Sequence, residues 1–393
     1  MQNNKSMMVV KKSAAMANPF SSFQFLYTML LLLVIQAPAS ECRKAQKRGG
    51  AAALFIFGDS YFDAGNNNYI NTTTLDQANF WPYGETYFNF PTGRFSNGRL
   101  ISDFIAEYAK VPLIAPFLQP GNQEYMMTNG VNFASAGAGA LDETFQGEVI
   151  NLNKQLLYYT KVEAWLRHKL GNVESKRVLS RAVYLFSIGT NDYISPFLIT
   201  NSTIMLASSS RSRSQYVDMV IGNLTTVVKA IYERGGRKFG FLNLGDLGCL
   251  PGLRILQSKT KGGCLEEAST LATLHNRALH KILTEMKDQL QGFKYSLYDF
   301  NSALRHRMTH PSRFGFEEGR AACCGAGEFK GIYSCGGKRP VIMKDFELCE
   351  DPQKYVFWDS YHLTERVYRQ MAAEMWSRSW IEGSYNLKAL LQN

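Results

Sequence analysis

The amino-acid sequence predicts an α/β fold: one doubly wound domain, with a parallel sheet of five strands covered by helices. Three observations predict it. Short apolar runs alternate along the chain with longer segments of helical periodicity, the pattern of strand–helix–strand crossovers. The runs are rich in Phe, Tyr, Leu, Val and Ile, and most end in Gly, Asn, Asp or Ser, as buried strands feeding loops do. Between residues 51 and 380 neither a linker nor an internal repeat divides the chain, so the alternation belongs to one domain.

The first strand is expected at ALFIF (53–57). A helix follows at RLISDFIAEYA (99–109), where Leu100, Ile101, Phe104, Ile105 and Tyr108 share one face. VNFAS (131–135) and VYLFSI (183–188) supply the second and third strands. The stretch 215–234 spaces Val217, Val220, Ile221, Leu224, Val227, Val228 and Ile231 as an amphipathic helix. KFGFLNL (238–244) is the fourth strand, 265–290 a long helix, YSLYDF (295–300) the fifth strand and 363–379 a final helix. Residues 381–393 read as a carboxyl-terminal tail.

Composition excludes two classes. With 45% hydrophobic residues the 393-residue chain buries a large core and is not intrinsically disordered, and 32 Gly beside 12 Pro exclude a collagen-like or low-complexity chain. Residues 1–39 read as a secretory signal peptide: a polar stretch with Lys5, Lys11 and Lys12 and no acid, then LYTMLLLLVI (26–35), then Ala37-Pro38-Ala39, which fits a cleavage site. The apolar run has ten residues, against the ~20 that span a bilayer, so no transmembrane segment is expected. Residues 40–50 form a leader without apolar pattern, and loss of the three lysines lowers the net charge from +10 to +7.

Secretion sets how the cysteines read. Cys42, Cys249, Cys264, Cys323, Cys324, Cys335 and Cys349 mature in an oxidising compartment, where disulfides are the default. Cys249 and Cys264 are close enough in sequence to close one loop, a second cluster lies between 323 and 349, and Cys42 is the leftover. Adjacent Cys323-Cys324 lacks the spacing of a zinc knuckle, so no metal is expected. Asn71, Asn201 and Asn223 begin N-x-[ST] glycosylation sequons.

In such sheets ligands bind beyond the carboxyl ends of the strands. Gly58-Asp59-Ser60 follows the first strand, Ala136 to Gly139 the second, Gly189-Thr190-Asn191-Asp192 the third and Gly245-Asp246 the fourth. Asp359-Ser360-Tyr361-His362 lies near the carboxyl terminus. A serine, a glycine turn, an asparagine and an Asp-x-x-His pair thus converge on one rim, a set suited to nucleophilic acyl transfer. A serine hydroxyl attacks when a base takes its proton; His362 is the candidate base, and Asp359 the group that fixes its tautomer and stabilises its cation. The backbone N–H groups of Ser60 and Gly137 and the Asn191 side-chain amide are candidate donors to the tetrahedral oxyanion. Each feature alone is ordinary, since serines cap helices, glycine-rich stretches turn and histidines sit on surfaces. Their joint placement after successive strands singles them out. His168, His275 and His280 fall inside helical patterns and read as structural. The chain has no G-x-S-x-G elbow, and neither G-x-G-x-x-G nor a Walker-type loop, so no nucleotide or other cofactor is expected.

FGDSYFDAGNNN (57–68), PTGRFSNGRLISDFIAE (91–107), GVNFASAGAGAL (130–141), SIGTNDY (187–193), LGCLP (247–251), ACCG (322–325) and FWDSYHLTE (357–365) resemble, in the same order, the plant GDSL esterase/lipases of the SGNH-hydrolase superfamily. The resemblance covers about residues 51–380. It implies a three-layer α/β/α sandwich of flavodoxin-like type and hydrolysis of carboxylic esters through an acyl-enzyme. Position by position, the family's nucleophile matches Ser60, its oxyanion glycine and asparagine match Gly137 and Asn191, and its Asp and His match Asp359 and His362. Two positions depart from the family pattern and bear on substrate preference. Tyr61 replaces the leucine of the four-letter motif, and Leu363 stands where many members have proline.

The expectation is a secreted serine esterase or lipase whose partner is an acyl or phenolic ester. An acyltransferase would use the same acyl-enzyme and pass the acyl group to an alcohol. A non-catalytic defence or cell-wall glycoprotein commonly lacks one of the catalytic set, and here all five are present. Export places the protein outside the cell, in the apoplast or cell wall, with the vacuole as the alternative. Basic residues are densest at Arg43–Arg48 in the leader and otherwise scattered, which argues against a nucleic-acid partner. A charge of +7 favours attraction to an acidic matrix such as pectin. Phe80, Trp81, Tyr83, Tyr87 and Phe88, in the long loop after the nucleophile, either line an acyl groove or pack the loop onto the domain.

Overall fold

The computed structural model describes residues 52–121, 128–199, 210–257, 263–337 and 345–392. The expected signal peptide (1–39), leader (40–50), Cys42 and Asn201 lie outside them. Five strands form the central sheet: β1 (Leu54–Gly58), β2 (Gly130–Asn132), β3 (Val183–Ser187), β4 (Lys238–Leu242) and β5 (Lys294–Tyr298). All pair in parallel, in the order β2-β1-β3-β4-β5, which is that of flavodoxin-like sheets. The register aligns aromatic residues in rows: Phe55, Tyr184 and Phe239 in one, Phe57, Phe186 and Phe241 in the next. Side chains alternate across a strand, so both rows lie on one face. Their rings stack at 5.4 Å (Phe55–Tyr184), 5.3 Å (Tyr184–Phe239), 4.9 Å (Phe57–Phe186) and 5.2 Å (Phe186–Phe241). Each such pair contributes ~0.5–1.5 kcal/mol beyond its burial.

The helices longer than one turn are α1 (Ile101–Tyr108), α2 (Leu152–Arg181), α3 (Thr190–Ile199), α4 (Ser210–Glu233), α5 (Glu266–Gln289), α6 (Phe300–Thr309), α7 (Glu365–Ser377) and α8 (Leu387–Gln392). Tyr159 of α2 packs on Phe55 and Phe57, and α4 packs on α2 and α5. On the opposite face Met375 of α7 and Leu387 of α8 cover Gly240, and α7 packs on α1. Helices on both faces make the expected three layers.

The structure adds four of the helices, α2, α3, α6 and α8, to the expected ones, and two of these bear on the sequence reading. α2 has 30 residues, bent at Gly171 (φ 76°), where the sequence reading noted only a helical pattern around His168. Its buried face mixes Leu152, Tyr159, Val162, Leu166 and Leu179 with Gln155, Glu163 and Ser175, which blurs the apolar repeat. The second, α8, falls in the stretch read as a tail; Leu387 and Leu390 are fully buried, so packing of the domain continues past residue 380.

Six cysteines pair as Cys249–Cys264, Cys323–Cys349 and Cys324–Cys335. The last two hold a small region of β6 (Glu318–Ala322), β7 (Cys324–Gly325), β8 (Glu347–Leu348) and β9 (Tyr355–Phe357). There β6 pairs with β9 and β7 with β8, and the N–H groups of Cys323 and Cys324 donate to the carbonyls of Phe357 and Trp358 at 2.9 and 2.8 Å. This region fixes the chain just before Asp359. Among the described residues no helix is long and apolar enough to cross a membrane.

Candidate active site

The site starts at the end of β1. Gly58 has φ +150°, and a Cβ there would stand 2.2 Å from the Ser187 carbonyl oxygen, so the close approach of β1 to β3 requires glycine. Gln155 of α2 completes its hydrogen bonding: Gly58 N–H donates to Gln155 Oε1 at 2.9 Å, and Gln155 Nε2 donates to the Gly58 carbonyl at 2.8 Å. The chain then turns, with Asp59 N–H on the Ser187 carbonyl at 3.0 Å and Asp63 N–H on the Asp59 carbonyl at 2.9 Å. Ser60 thereby stands on the rim with Oγ 2.7 Å from His362 Nε2.

His362 comes from a tight turn closed by Trp358 N–H on the His362 carbonyl at 2.8 Å. Inside it, fully buried Asp359 accepts at Oδ1 from the Tyr361 and His362 N–H groups, both at 2.9 Å. His362 Nδ1 lies 2.7 Å from Oδ1 and 2.9 Å from Oδ2 of Asp359. A ring nitrogen facing a carboxylate holds the proton, which leaves Nε2 to accept from the serine hydroxyl. The Tyr83 hydroxyl donates to Asp359 Oδ2 at 2.7 Å.

Both departures from the family pattern have local partners. The Tyr61 hydroxyl donates to the Tyr361 carbonyl at 2.9 Å, joining the serine turn to the Asp-His turn 300 residues away. Leu363 keeps an N–H that proline lacks and donates it to the Tyr368 hydroxyl at 3.3 Å.

Gly137 lies in the turn after β2, at φ +78°, and a Cβ there would stand 2.7 Å from Asp76 Oδ1 and 2.9 Å from Val149 Cγ1. Asn191, in the first turn of α3, donates one amide hydrogen to the Ala138 carbonyl at 2.9 Å and has a second for a ligand. Two acids to which the sequence reading gave no role brace these turns. Asp63 accepts from Gly65 and Asn66 N–H at 2.7 Å and from Ala136 N–H at 2.9 Å, tying the serine turn to the Gly137 turn. Asp192 accepts from Ala140 N–H (2.8 Å), Leu141 N–H (3.0 Å) and the Thr144 hydroxyl (2.7 Å), tying the Asn191 turn to the same segment. The short-range half of the Asp63 pattern, to residues two and three further on, is an Asx turn and was readable as such. Burial pushes Asp63 and Asp192 each up to about 6. It pushes Asp59, whose Oδ2 has no hydrogen-bond partner, up to about 8.

A cleft of about 870 Å³ brings Ser60, Gly137, Asn191 and His362 together, walled by Tyr61, Phe95, Phe145, Ile194, Leu198, Tyr333 and Tyr361. The loop aromatics Phe80, Trp81, Tyr83, Tyr87 and Phe88 are not on this wall. Phe80 and Tyr83 are buried beside the cleft with Phe95 and Trp358, while Trp81 and Tyr87 are exposed. Of the described sequons, Asn71 is exposed and Asn223 half-buried. His275 is buried, 2.9 Å from the Tyr193 hydroxyl through Nδ1, and burial holds it down to about 3. It stays neutral at physiological pH.

The sheet order, the helical layers and the cleft at the strand ends define an SGNH-type α/β hydrolase domain. The chain belongs to the GDSL-like lipase/acylhydrolase family, whose model matches residues 54–375. It is 57% identical over 377 residues to GDSL esterase/lipase 5 of Arabidopsis thaliana, covering 95% of this chain and 96% of that protein. It is 52% identical over 342 residues to GDSL esterase/lipase 1 of the same plant, covering 87% and 90%. A GDSL lipase of Tanacetum cinerariifolium is 46% identical over 365 residues, covering 93% of each chain. The protein is accordingly a carboxylic ester hydrolase, and its substrates are esters.

Proposed function

We propose that this protein is a secreted serine esterase that cleaves acyl or phenolic esters through an acyl-enzyme on Ser60. The observation that carries the reading is the unbroken line of contacts from Ser60 Oγ to His362 Nε2 (2.7 Å) and from His362 Nδ1 to Asp359 (2.7 Å). Ser60 Oγ attacks the ester carbonyl carbon while its proton passes to Nε2. Asp359 stabilises the imidazolium, and the Ser60 and Gly137 N–H groups with the Asn191 amide receive the oxyanion. Collapse breaks the carbon–oxygen bond to the alcohol, which leaves with the proton from Nε2. Water then attacks the acyl-enzyme, giving its proton to His362, and the free acid departs as Ser60 regains a proton. The three disulfides and the signal-peptide pattern of residues 1–39 support maturation in the secretory route.

Ser60→Ala is expected to keep the fold and lose turnover of p-nitrophenyl esters by ~10⁵–10⁶-fold. A fluorophosphonate probe is expected to label the wild type at Ser60. Full activity in the variant overturns the nucleophile, and an unlabelled wild type supports a ligand-binding glycoprotein. An alcohol in place of water would give acyl transfer, and the ratio of new ester to free acid measured with added alcohols separates the two activities.

A further inference from the structure

We propose that Tyr83 is a positioning residue of this hydrolase, its phenol O–H holding the Asp359 carboxylate in the plane that meets His362. The proposal rests on the Ser60–His362–Asp359 reading above. Asp359 Oδ1 is fixed by two backbone N–H groups of its own turn, whereas Oδ2 lies 2.9 Å from His362 Nδ1 and accepts from the Tyr83 hydroxyl at 2.7 Å. A carboxylate held at one oxygen can still rotate about its own axis, and the phenol blocks that rotation. It also spreads the negative charge of a fully buried group over another donor.

Tyr83 itself cannot swing away. Its ring is 1% exposed and meets Phe80, Phe95 and Trp358 edge-on at centroid distances of 5.7, 5.8 and 6.1 Å. Phe95 in turn lies 4.7 Å from the His362 ring. Backbone bonds from Tyr83 N–H to the Phe80 carbonyl (3.1 Å) and from Gly84 N–H to the Ser96 carbonyl (3.0 Å) fix the loop. The aromatic loop after the nucleophile therefore serves the acid–base pair from behind and does not form the substrate wall.

The direction of the effect on pH dependence follows. Removing the phenol O–H concentrates charge on the carboxylate, which then holds the imidazolium more strongly, and the acid limb of kcat/KM moves to higher pH. Other titratable groups face the pair: Tyr61, Tyr333 and Tyr361 beside the His362 ring, and Tyr368 beside Asp359. Asp59 lies next to Tyr61 and Tyr368, and Asp76, Glu143 and Glu148 border the cleft. Tyr83→Phe removes one oxygen and leaves all of these in place.

In Tyr83→Phe, kcat is expected to fall by ~10–100-fold, the scale of a hydrogen bond to a charged group, and the acid limb to rise by about half a pH unit. A purely structural role would lower stability without moving the limb. The variant is also combined with Asp359→Asn, since groups acting through one another lose activity non-additively. Little further loss from Tyr83→Phe in the Asp359→Asn background is the expected result. An unmoved acid limb, or losses that multiply in the double variant, overturns the role of Tyr83 while the triad reading stands. Wild-type turnover in Asp359→Asn alone overturns both.

Discussion

At the scale of single residues, Asn191 is the clearest test of charge stabilisation. Asn191 has one hydrogen bond within the protein, to the Ala138 carbonyl, so truncating it disturbs little besides a ligand. Asn191→Ala is expected to lower kcat by ~10²–10³-fold with a smaller change in KM, because an oxyanion donor acts chiefly in the transition state. Unchanged kcat in steady-state assays would remove Asn191 from the oxyanion site. Gly137→Ala is expected to lose activity for a different reason, the contact of its Cβ with Asp76 and Val149 at a positive φ. The five residues expected at the site were legible because each follows a strand end or shares one short turn. Tyr83 and Asp192 were not, because their partners lie 276 and about 50 residues away, a separation that no local pattern encodes.

At the scale of elements, α2 and the disulfide region set the rim from below and from the side. The apolar periodicities of α4 and α5 made them readable, whereas the buried Gln155 and Glu163 of α2 interrupted its stripe. Those polar residues have partners that include groups far along the chain. Glu163 meets Arg167 and Arg234, both at 2.8 Å, and Gln155 bridges Gly58 and the Ile150 carbonyl. Gln155→Leu would leave the buried N–H of Gly58 unpaired, at ~1–3 kcal/mol, while its carbonyl keeps the Ser135 N–H at 3.0 Å. A lowered midpoint in denaturant unfolding is expected, with activity reduced as well because Gly58 precedes Ser60, the proposed nucleophile, by two residues. A wild-type midpoint would show that other groups satisfy Gly58. The paired substitution Cys324→Ser with Cys335→Ser is expected to cost ~2–4 kcal/mol. It should also lower kcat before it unfolds the sheet, since Cys324 N–H holds the Trp358 carbonyl one residue before Asp359. Parallel loss curves for activity and far-ultraviolet dichroism would contradict that order.

At the scale of the whole molecule, one sheet brings Ser60 and His362 together from opposite ends of the chain, and the same rim buries Asp59, Asp63 and Asp192. Burial raises all three above the ordinary aspartate value of 3.8, Asp63 and Asp192 to about 6 and Asp59 to about 8. The folded state therefore binds these protons more tightly than the unfolded chain. Below about pH 4 both states hold them and the contribution to stability is complete. It diminishes as pH rises, through about 6 for Asp63 and Asp192 and through about 8 for Asp59. Asp59 is the sharpest case, because Asp63 and Asp192 each accept three hydrogen bonds in the charged form while Asp59 Oδ2 accepts none. Between pH 6 and 8 its titration alone should lower stability by at most ~1.4 kcal/mol per pH unit, roughly 2 °C in the thermal midpoint of a domain this large. Asp59→Asn keeps an oxygen for the Tyr61 N–H and has no proton to lose in this range. Calorimetric midpoints measured every half pH unit should therefore decline more gently in Asp59→Asn than in the wild type above pH 6. Identical slopes would show that Asp59 carries its charge in the folded protein at neutral pH, and that the turn after β1 tolerates a bare carboxylate beside Ser60.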